Sequence, residues 1–359
     1  MKEDAISTAR EEFAGEARLR PGKAIVKGPL GVCPLYRRAD GRATYLTYAQ
    51  ALDAGAVAVR ELGDAGSVPE LVLENKGDEL VLILDGEQLI GARQNRVMNT
   101  TVLIGAAGKV VIPVSCVEQG RWHYEGTHEM RSSAAPLYAR TRAMKSQQVL
   151  ERLQAHNEYT ADQHAIWESI STNLAEDAVY SPTSAMKDHF TSRRDGLAKY
   201  LDAFSLDRFE VPDGLFMVGA VFTLSGKILG MDSFNLASTL SRQWEQLINS
   251  YGIEAALAGD GGSVDPGEVE AFLTNAGRAR MQVFDPPGLG DDVRMSDAAV
   301  VGSALVYEHE VIHQYAFAVE DERRRDDDTS EARMCGYRHR LDTVRSDQRN
   351  RQGQETTLE

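Results

Sequence analysis

The sequence LDGEQLIGARQNRVMNTT, Leu84–Thr101, is followed and preceded by apolar runs, and its second half, residues 93–101, holds two arginines, three amides and two threonines. Short apolar runs bounded by Gly, Asp or Pro extend on both sides of it, from Ala24 to about Val117. Runs of this kind are typical of strands. Residues 101–113, TVLIGAAGKVVIP, predict two strands joined by a glycine turn. The N-terminal part is therefore predicted to be a β-rich antiparallel sheet or sandwich.

The periodicity then changes and predicts a helical middle over residues 139–205. Thr160 and Gln163 have the spacing of a capping box, which predicts a helix start. The Ser-Pro-Thr sequence at 181–183 predicts the start of a further helix that runs to Phe204.

Strands and helices return in the C-terminal part. GLFMVGAVFTLSGKILGMDSF, residues 214–234, predicts a hairpin that turns at Ser225–Lys227. A helix is predicted from about Ser238 to Leu257, and Asp265-Pro266 provides an N-cap and a first-turn proline for another. SALVYEHEVIHQYAFAVE, residues 303–320, is the last predicted ordered unit. The predicted fold class is α+β.

Three segments are predicted along the chain. Residues 1–20 form an N-terminal extension, and residues 21–320 form a single domain that contains the helical middle. Residues 321–359 are highly charged and poor in apolar residues, a composition typical of disordered tails. With 42% apolar residues, the 359-residue chain can fill a sizeable core.

Composition limits the classes of partner. A net charge of −15 and a pI near 5.1 argue against general nucleic-acid binding, which needs a broad basic surface. The three cysteines are far apart, which predicts neither a disulfide framework nor a clustered metal site. The N-terminus lacks the apolar core of a signal peptide, and no run of ~18 apolar residues predicts a membrane span. These features predict a cytoplasmic protein.

The polar residues after the apolar runs form two clusters that predict a ligand site. Arginine donates two parallel hydrogen bonds to phosphate or carboxylate, and amides bind hydroxyls or base edges. The first cluster comprises Arg93, Gln94, Asn95, Arg96 and Asn99, and the second comprises Cys116, Glu118, Gln119, Arg121 and Trp122. Because the two clusters bracket one predicted hairpin, we expect them to meet at one end of it. The alternative is that they satisfy backbone groups in a long connection.

Two residues of the second cluster are candidate catalytic groups. Glu118 is the first candidate for a general base. Cys116 is a candidate nucleophile because a neighbouring cation such as Arg121 favours a thiolate. The alternative for Cys116 is plain packing at a strand end.

His309, Glu310 and His313 form an H-E-x-x-H sequence. On a helix, the two histidines would share one face and bind zinc while Glu310 activated water. The flanking residues are instead β-branched and aromatic, which favours a hairpin. On a strand the histidines would lie about 13 Å apart, too far to share a metal. Zinc hydrolysis is therefore kept only as an alternative.

The motifs LDGEQLIGARQNRVMNTTVLI and GKVVIPVSCVEQGRW resemble those of the ARG-and-rhodanese-phosphatase-superfamily-associated protein family. Glu87 matches the first motif together with the arginine and amide cluster, and is thereby added to the candidate ligand-binding residues. The resemblance extends over about residues 20–318. Asp232, Tyr251 and Arg294 match later motifs, without an assigned role.

The family name implies association with ADP-ribosylglycohydrolases and with rhodanese or phosphatase proteins. The resemblance therefore predicts binding, and processing, of a phosphate-bearing nucleotide derivative linked to NAD or ADP-ribose metabolism, with a role in conflict with phage. A small anionic or nucleotide ligand is the expected partner, and no particular cofactor is indicated. The alternative is a non-catalytic partner or scaffold protein whose arginine-rich segment contacts another protein.

Overall fold

The computed structural model describes residues 2–16, 18–62, 69–124, 129–256, 258 and 261–319. Residues 1–318 form one compact unit, and the second unit, Val319–Glu359, is described only at Val319. The predicted charged tail therefore lies outside the described residues. Antiparallel sheets with helices between and around them confirm the predicted α+β class.

The N-terminal strands, the helical middle and the C-terminal strands and helices follow one another as the sequence predicts, whereas the helices at Lys2–Ala14 and Tyr48–Asp53 were not predicted. The strands are β1 (Arg20–Pro21), β2 (Ile25–Lys27), β3 (Leu30–Arg37), β4 (Leu46–Thr47), β5 (Val57–Glu61), β6 (Glu70–Asn75), β7 (Val81–Ile83), β8 (Gln88–Gly91), β9 (Arg96–Met98), β10 (Val102–Ile104), β11 (Lys109–Cys116), β12 (Met130–Ser133), β13 (Phe216–Leu224), β14 (Lys227–Phe234), β15 (Arg280–Phe284), β16 (Asp291–Ser296), β17 (Val300–Tyr307) and β18 (Glu310–Ala318). The helices are α1 (Lys2–Ala14), α2 (Tyr48–Asp53), α3 (Ala139–His156), α4 (Gln163–Glu176), α5 (Met186–Ser192), α6 (Arg194–Ala203), α7 (Ala237–Ala255) and α8 (Pro266–Arg278). None of these helices has the length and apolar character needed to cross a bilayer.

The largest sheet combines both ends of the chain. It has nine strands in the order β1-β3-β13-β14-β18-β17-β16-β15, with β2 also paired to β3. Its central strands are buried on both faces, since helices cover both. Helices α1 and α8 pack on one face, and α7 packs on the other through Trp244 and Tyr251. The predicted hairpin at Ser225–Lys227 is confirmed as the β13–β14 connection.

Two smaller sheets form the β-rich N-terminal part. One has the order β12-β8-β9-β11-β6-β5, and the other has the order β10-β7-β4. The predicted hairpin over residues 101–113 is wrong, because β10 pairs with β7 whereas β11 pairs with β9 and β6. The side chain of Asn75 donates to the carbonyl oxygen of Gly105, and Ala107 donates to that of Gly77. These bonds tie the glycine turn to the β6–β7 connection, so the chain crosses there from one sheet to the other.

The helical middle is confirmed, but two of its predicted helix starts are wrong. Helix α4 is capped by the side chain of Asp162, which accepts from two backbone amides, and not by Thr160. Gln163 does not form a capping box, because its side chain is hydrogen-bonded to the backbone of Cys116. The helix expected at Ser181 starts at Met186, and the chain forms two helices, α5 and α6, instead of one.

Candidate functional site

The two predicted polar clusters meet because β9 pairs with both β8 and β11. Arg96 lies opposite Leu89 on one side and opposite Cys116 on the other. The turn that precedes β9 bends at Ala92, where φ is 45°. Because of this pairing, the residues that follow β8 lie close to those that follow β11. We call the resulting group the Arg96 cluster; it consists of Glu61, Arg93, Gln94, Asn95, Arg96, Glu118, Arg121 and Trp122.

Arg121 is fully paired within the protein. Its Nε donates to Glu118 Oε2 at 2.8 Å, and its Nη1 donates to the carbonyl oxygens of Ala92 and His123. Its Nη2 donates to Asn95 Oδ1 at 3.1 Å. Because every guanidinium nitrogen already has an acceptor, Arg121 holds the two clusters together and does not present a free fork to a ligand.

Glu118 is equally committed. Besides Arg121, it accepts hydrogen bonds from Thr183 and from the backbone of Asn95. Burial alone would raise its pKa, but the hydrogen bonds from Arg121 and Thr183 outweigh burial and lower the pKa below the usual value. A carboxylate stabilised in this way is a weak base. Glu118 is thus held as a carboxylate against Arg121.

Arg96 differs from Arg121 although both are buried. Its side chain is 0% exposed and donates from Nη1 to Gln94 Oε1 at 2.7 Å. Its Nε and Nη2 donate no hydrogen bond to any residue in the described part of the chain. The nearest acid is Glu61, whose Oε1 lies 3.9 Å from Nη2. Burial without full pairing lowers the pKa of Arg96.

The amides beside Arg96 orient it and add one more donor. Gln94 holds Arg96 Nη1 while its own Nε2 donates to the carbonyl oxygen of Glu118. Asn95 is 0% exposed and uses its Oδ1 as an acceptor, but its Nδ2 has no acceptor among the described residues. Buried donors are rarely left unpaired in folded proteins. Asn95 and Arg96 thus contribute three unpaired nitrogen atoms to one cluster.

Trp122 is partly exposed and lies beside Arg93 and Arg96. Its side chain is 43% exposed, which makes it one of the most exposed large apolar residues described. The guanidinium carbon of Arg96 lies 5.5 Å from the Trp122 ring centroid, and that of Arg93 lies 5.9 Å away. Arg93 also stacks over Tyr124 at 4.7 Å. The arrangement combines cations with an accessible aromatic ring.

Cys116 does not have the surroundings of a nucleophile. It is buried, and burial raises the pKa of its thiol to about 11 despite the nearby Arg96. The reactive thiolate is thereby disfavoured. The side chain of Gln163 both accepts from the backbone N–H of Cys116 and donates to its carbonyl oxygen. These contacts fit packing at the end of β11.

The other predicted site residues lie around the cluster or apart from it. Gln119 is exposed. Asn99 is buried and bonds to Ser115 and to the carbonyl oxygen of Tyr159. Glu87 is buried and accepts from Ser132 and from the backbone of Leu84. Burial raises the pKa of Glu87 to about 7, since no cation pairs with it among the described residues.

The sequence did not reveal a second set of buried charges. Asp232 accepts from both Nη atoms of Arg142 at 3.1 and 2.7 Å and from the hydroxyl of Tyr251 at 2.7 Å. It also accepts from His313 Nε2 at 3.2 Å. Burial would raise the pKa of Asp232, but Arg142 and His313 lower it to about 2. Lys145 donates to Asp85, which also accepts from Arg142.

The same buried region continues through Arg294. Its Nε donates to Asp292 at 2.8 Å, its Nη2 donates to Thr100 at 2.7 Å, and its Nη1 faces the hydroxyl of Tyr315. We call the whole set the central charge network; it consists of Asp85, Arg142, Lys145, Asp232, Tyr251, Asp292, Arg294 and His313. All its charged nitrogens have acceptors, so the network joins the N-terminal strands, α3 and the large sheet as an internally satisfied structure.

Some sequence signals for the network existed. Asp232 is the one acid of the largely apolar strand β14, Arg294 lies between Val293 and Met295 in β16, and Tyr251 lies on the apolar face of α7. Arg142 and Lys145 are three residues apart on α3 and therefore share one face of the helix. Because a basic pair on a helix is usually exposed to solvent, the sequence does not indicate that this face of α3 is buried.

The zinc alternative is wrong in its geometry, since the H-E-x-x-H sequence forms a hairpin and not a helix. Glu308 and His309 form the turn between β17 and β18 with φ of 48° and 64°. His309 is exposed, whereas His313 is buried against Thr101 and Asp232. Glu310 pairs with Arg42. Within the described ranges, no three His, Cys, Asp or Glu side chains are grouped closely enough to hold a metal ion.

Comparison with known families gives a match that spans both polar clusters and the central charge network. Residues 18–317 match the ARG and Rhodanese-Phosphatase-superfamily-associated Protein domain. The chain belongs to this family. No curated protein and no solved structure matches the chain significantly. In this family member, the motif residues divide into a paired network and a cluster with unpaired donors.

Proposed function

We propose that the protein binds a phosphate-bearing nucleotide derivative, of the NAD or ADP-ribose type, at the Arg96 cluster. One observation carries the proposal: Arg96 is a completely buried cation with Nε and Nη2 unpaired within the described residues. A buried cation with unused donors is costly to the folded state. An anionic ligand that accepts from these donors would offset that cost.

The unpaired atoms have the geometry that an oxyanion requires. Nε and Nη2 lie on one edge of the guanidinium plane and form a fork for two oxygen atoms of one phosphate or carboxylate. Nη1, on the other side, is fixed by Gln94. Gln94 thereby orients the fork before a ligand arrives, which reduces the entropy lost on binding.

The charge of the cluster also favours an anion. Three arginines, Arg93, Arg96 and Arg121, face two acids, Glu61 and Glu118, so these five side chains carry a net charge of +1. The protein as a whole carries −15. A local positive site within an acidic molecule favours a small anion over a polyanionic nucleic acid.

The exposed ring of Trp122 supports the nucleotide part of the proposal. Stacking of a base on an aromatic side chain contributes about 1–3 kcal/mol and tolerates any base. The Trp122 ring, which is 43% exposed, lies 5.5 Å from the guanidinium carbon of Arg96 and 5.9 Å from that of Arg93. The family name, which associates the domain with ARG and rhodanese-phosphatase proteins, points to the same ligand chemistry.

The proposal is tested by calorimetric titration of the purified protein with ADP-ribose, NAD and AMP. We expect ADP-ribose to bind and pyrophosphate to compete with it. Arg96→Met should weaken binding by at least about 100-fold, because a buried charge-assisted contact is lost. Arg152→Met removes an exposed arginine of α3 and should leave binding unchanged. Absence of binding by all three nucleotides, or equal binding by both variants, would contradict the proposal.

A further inference from the structure

Glu61, the last residue of β5, is an acid within the cluster that no sequence motif marked. Its side chain is only 4% exposed. Oε1 accepts from the backbone N–H of Arg93 at 3.4 Å and lies 3.9 Å from Arg96 Nη2. Oε2 is buried and accepts no hydrogen bond from any residue of the described ranges. Glu61 thus has a buried acceptor without a donor, just as Arg96 has buried donors without acceptors, within the described residues.

The distance between the two side chains leaves both incompletely satisfied. A separation of 3.9 Å exceeds that of an N–H···O hydrogen bond, which is about 2.7–3.2 Å. Two polar atoms at such a distance can be bridged by a third group that hydrogen-bonds to both. That group must accept from Arg96 and donate to Glu61.

A bare phosphate meets only half of this requirement. Its oxygens accept from Arg96, but a fully ionised phosphate has no proton for Glu61 and repels the carboxylate. A hydroxyl group near the phosphate supplies the missing donor. Sugar phosphates carry both groups within a few bonds of each other.

We infer that Glu61 accepts a hydrogen bond from a sugar hydroxyl of the ligand whose phosphate is held by Arg96. Glu61 is then the residue that selects a phosphorylated sugar over a simple phosphate. This inference rests on the proposed function, since it assigns a specificity residue to the same site. In this inference, the negative charge of Glu61 lies within an anion-binding site because it recognises the sugar of the ligand.

Glu61→Gln separates the two roles because it removes the charge while keeping the shape. The probes are AMP, its 2′-deoxy and 3′-deoxy analogues, and pyrophosphate, each titrated into the wild type and the variant. In the wild type, at least one deoxy analogue should bind about tenfold to hundredfold more weakly than AMP, as expected for a hydrogen bond to a charged group. In Glu61→Gln that difference should shrink, and pyrophosphate should bind more tightly because its repulsion is removed.

The outcomes separate failure of this inference from failure of the proposed function. If the wild type binds neither these probes nor ADP-ribose or NAD, the proposed function fails and the inference fails with it. If it binds ADP-ribose or NAD but not AMP, the inference alone fails. If the wild type binds AMP and both deoxy analogues within about twofold, the inference alone fails. A purely structural role for Glu61 would weaken all probes by the same factor in Glu61→Gln, and that result would also overturn it. A circular dichroism melt of the variant checks that it is folded, and Glu61→Asp provides a second variant that keeps the charge.

Discussion

The central charge network and the Arg96 cluster both bury arginines, but they pair them differently. In the network, Arg142 and Arg294 each donate to a buried aspartate and to further acceptors. In the cluster, Arg121 is paired in the same way, while Arg96 keeps two nitrogens without acceptors in the described chain. Burial of charge alone therefore does not identify a site. The proposed site rests instead on a buried charge that is incompletely paired within the described residues.

Buried acids show the same contrast. Asp232 has Arg142 beside it, and its pKa is lowered to about 2 even though burial acts in the opposite direction. Glu87 has hydrogen-bond donors but no cation among the described residues, and burial raises its pKa to about 7. The folded protein thus favours the charged form of one acid and the neutral form of the other.

The largest effect is expected in the network. Asp232→Asn removes the charge that pairs with Arg142 and should lower the free energy of unfolding at pH 7 by on the order of 5 kcal/mol, since a buried arginine loses its partner. Because the folded pKa of Asp232 is lowered, its contribution is present above the ordinary value of 3.8 and is lost as pH falls through about 2. Urea unfolding at pH 7 and near pH 2 should show the difference between wild type and variant shrinking in acid.

Asp202→Asn is the control, because Asp202 is 83% exposed and forms only a long surface pair with Arg208. It should change the free energy of unfolding by less than about 0.5 kcal/mol. A cost of the same small size for Asp232→Asn would show that the network does not stabilise the fold.

Within the cluster, Arg121→Met should also be destabilising. It leaves Glu118 buried without its cation and removes donors to two carbonyl oxygens. The expected loss in free energy of unfolding is about 4 kcal/mol, measured by urea denaturation. If Arg121→Met is tolerated with a cost below about 1 kcal/mol, the distinction between a structural and a ligand-directed arginine in this cluster is lost.

The effect of Glu87→Gln on the free energy of unfolding should depend on pH. A folded pKa above the unfolded value means that the folded carboxyl binds its proton more tightly, so the stability that Glu87 contributes is present below pH 4.5 and lost as pH rises through about 7. Glutamine keeps the shape but does not titrate. Relative to wild type, the variant should gain about 3 kcal/mol in free energy of unfolding between pH 4 and pH 8.

The control for this measurement is Glu176→Gln, which changes an exposed glutamate at the end of α4. Its difference from wild type should not vary with pH over the same range. A pH-independent difference for Glu87→Gln as well would contradict the raised pKa of Glu87.

Local signals in the sequence predicted much of the fold. Ser225–Lys227 and Asp265-Pro266 act within a few residues, and the β13–β14 hairpin and helix α8 form where they indicate. The partner of β10 depends instead on contacts between distant segments. In the sequence, the glycine turn at 105–108 resembles a hairpin turn. In the structure, the side chain of Asn75 donates to the carbonyl oxygen of Gly105 and holds this turn beside the β6–β7 connection. Pairing between sheets is not encoded in a single stretch.

The candidate site was predicted in part for the same reason. The first and second polar clusters are dense enough in arginine and amide to be noticed, and β9 brings them together by pairing with β11. Their division into paired and unpaired donors depends on hydrogen bonds that no spacing reveals. Glu61 is an ordinary acid at a strand end in the sequence, and it becomes informative only through its distance from Arg96.

The most direct test compares urea unfolding of the wild type and Arg96→Met, with and without ADP-ribose. Without ligand, the variant should be within about 1 kcal/mol of the wild type or more stable, because it removes an incompletely paired buried cation. At a ligand concentration about 100 times the dissociation constant, the wild type should gain about 2.7 kcal/mol and the variant almost nothing. A loss of several kcal/mol in the unliganded variant, or an equal gain in both proteins, would contradict the conclusion that Arg96 keeps its donors for a ligand.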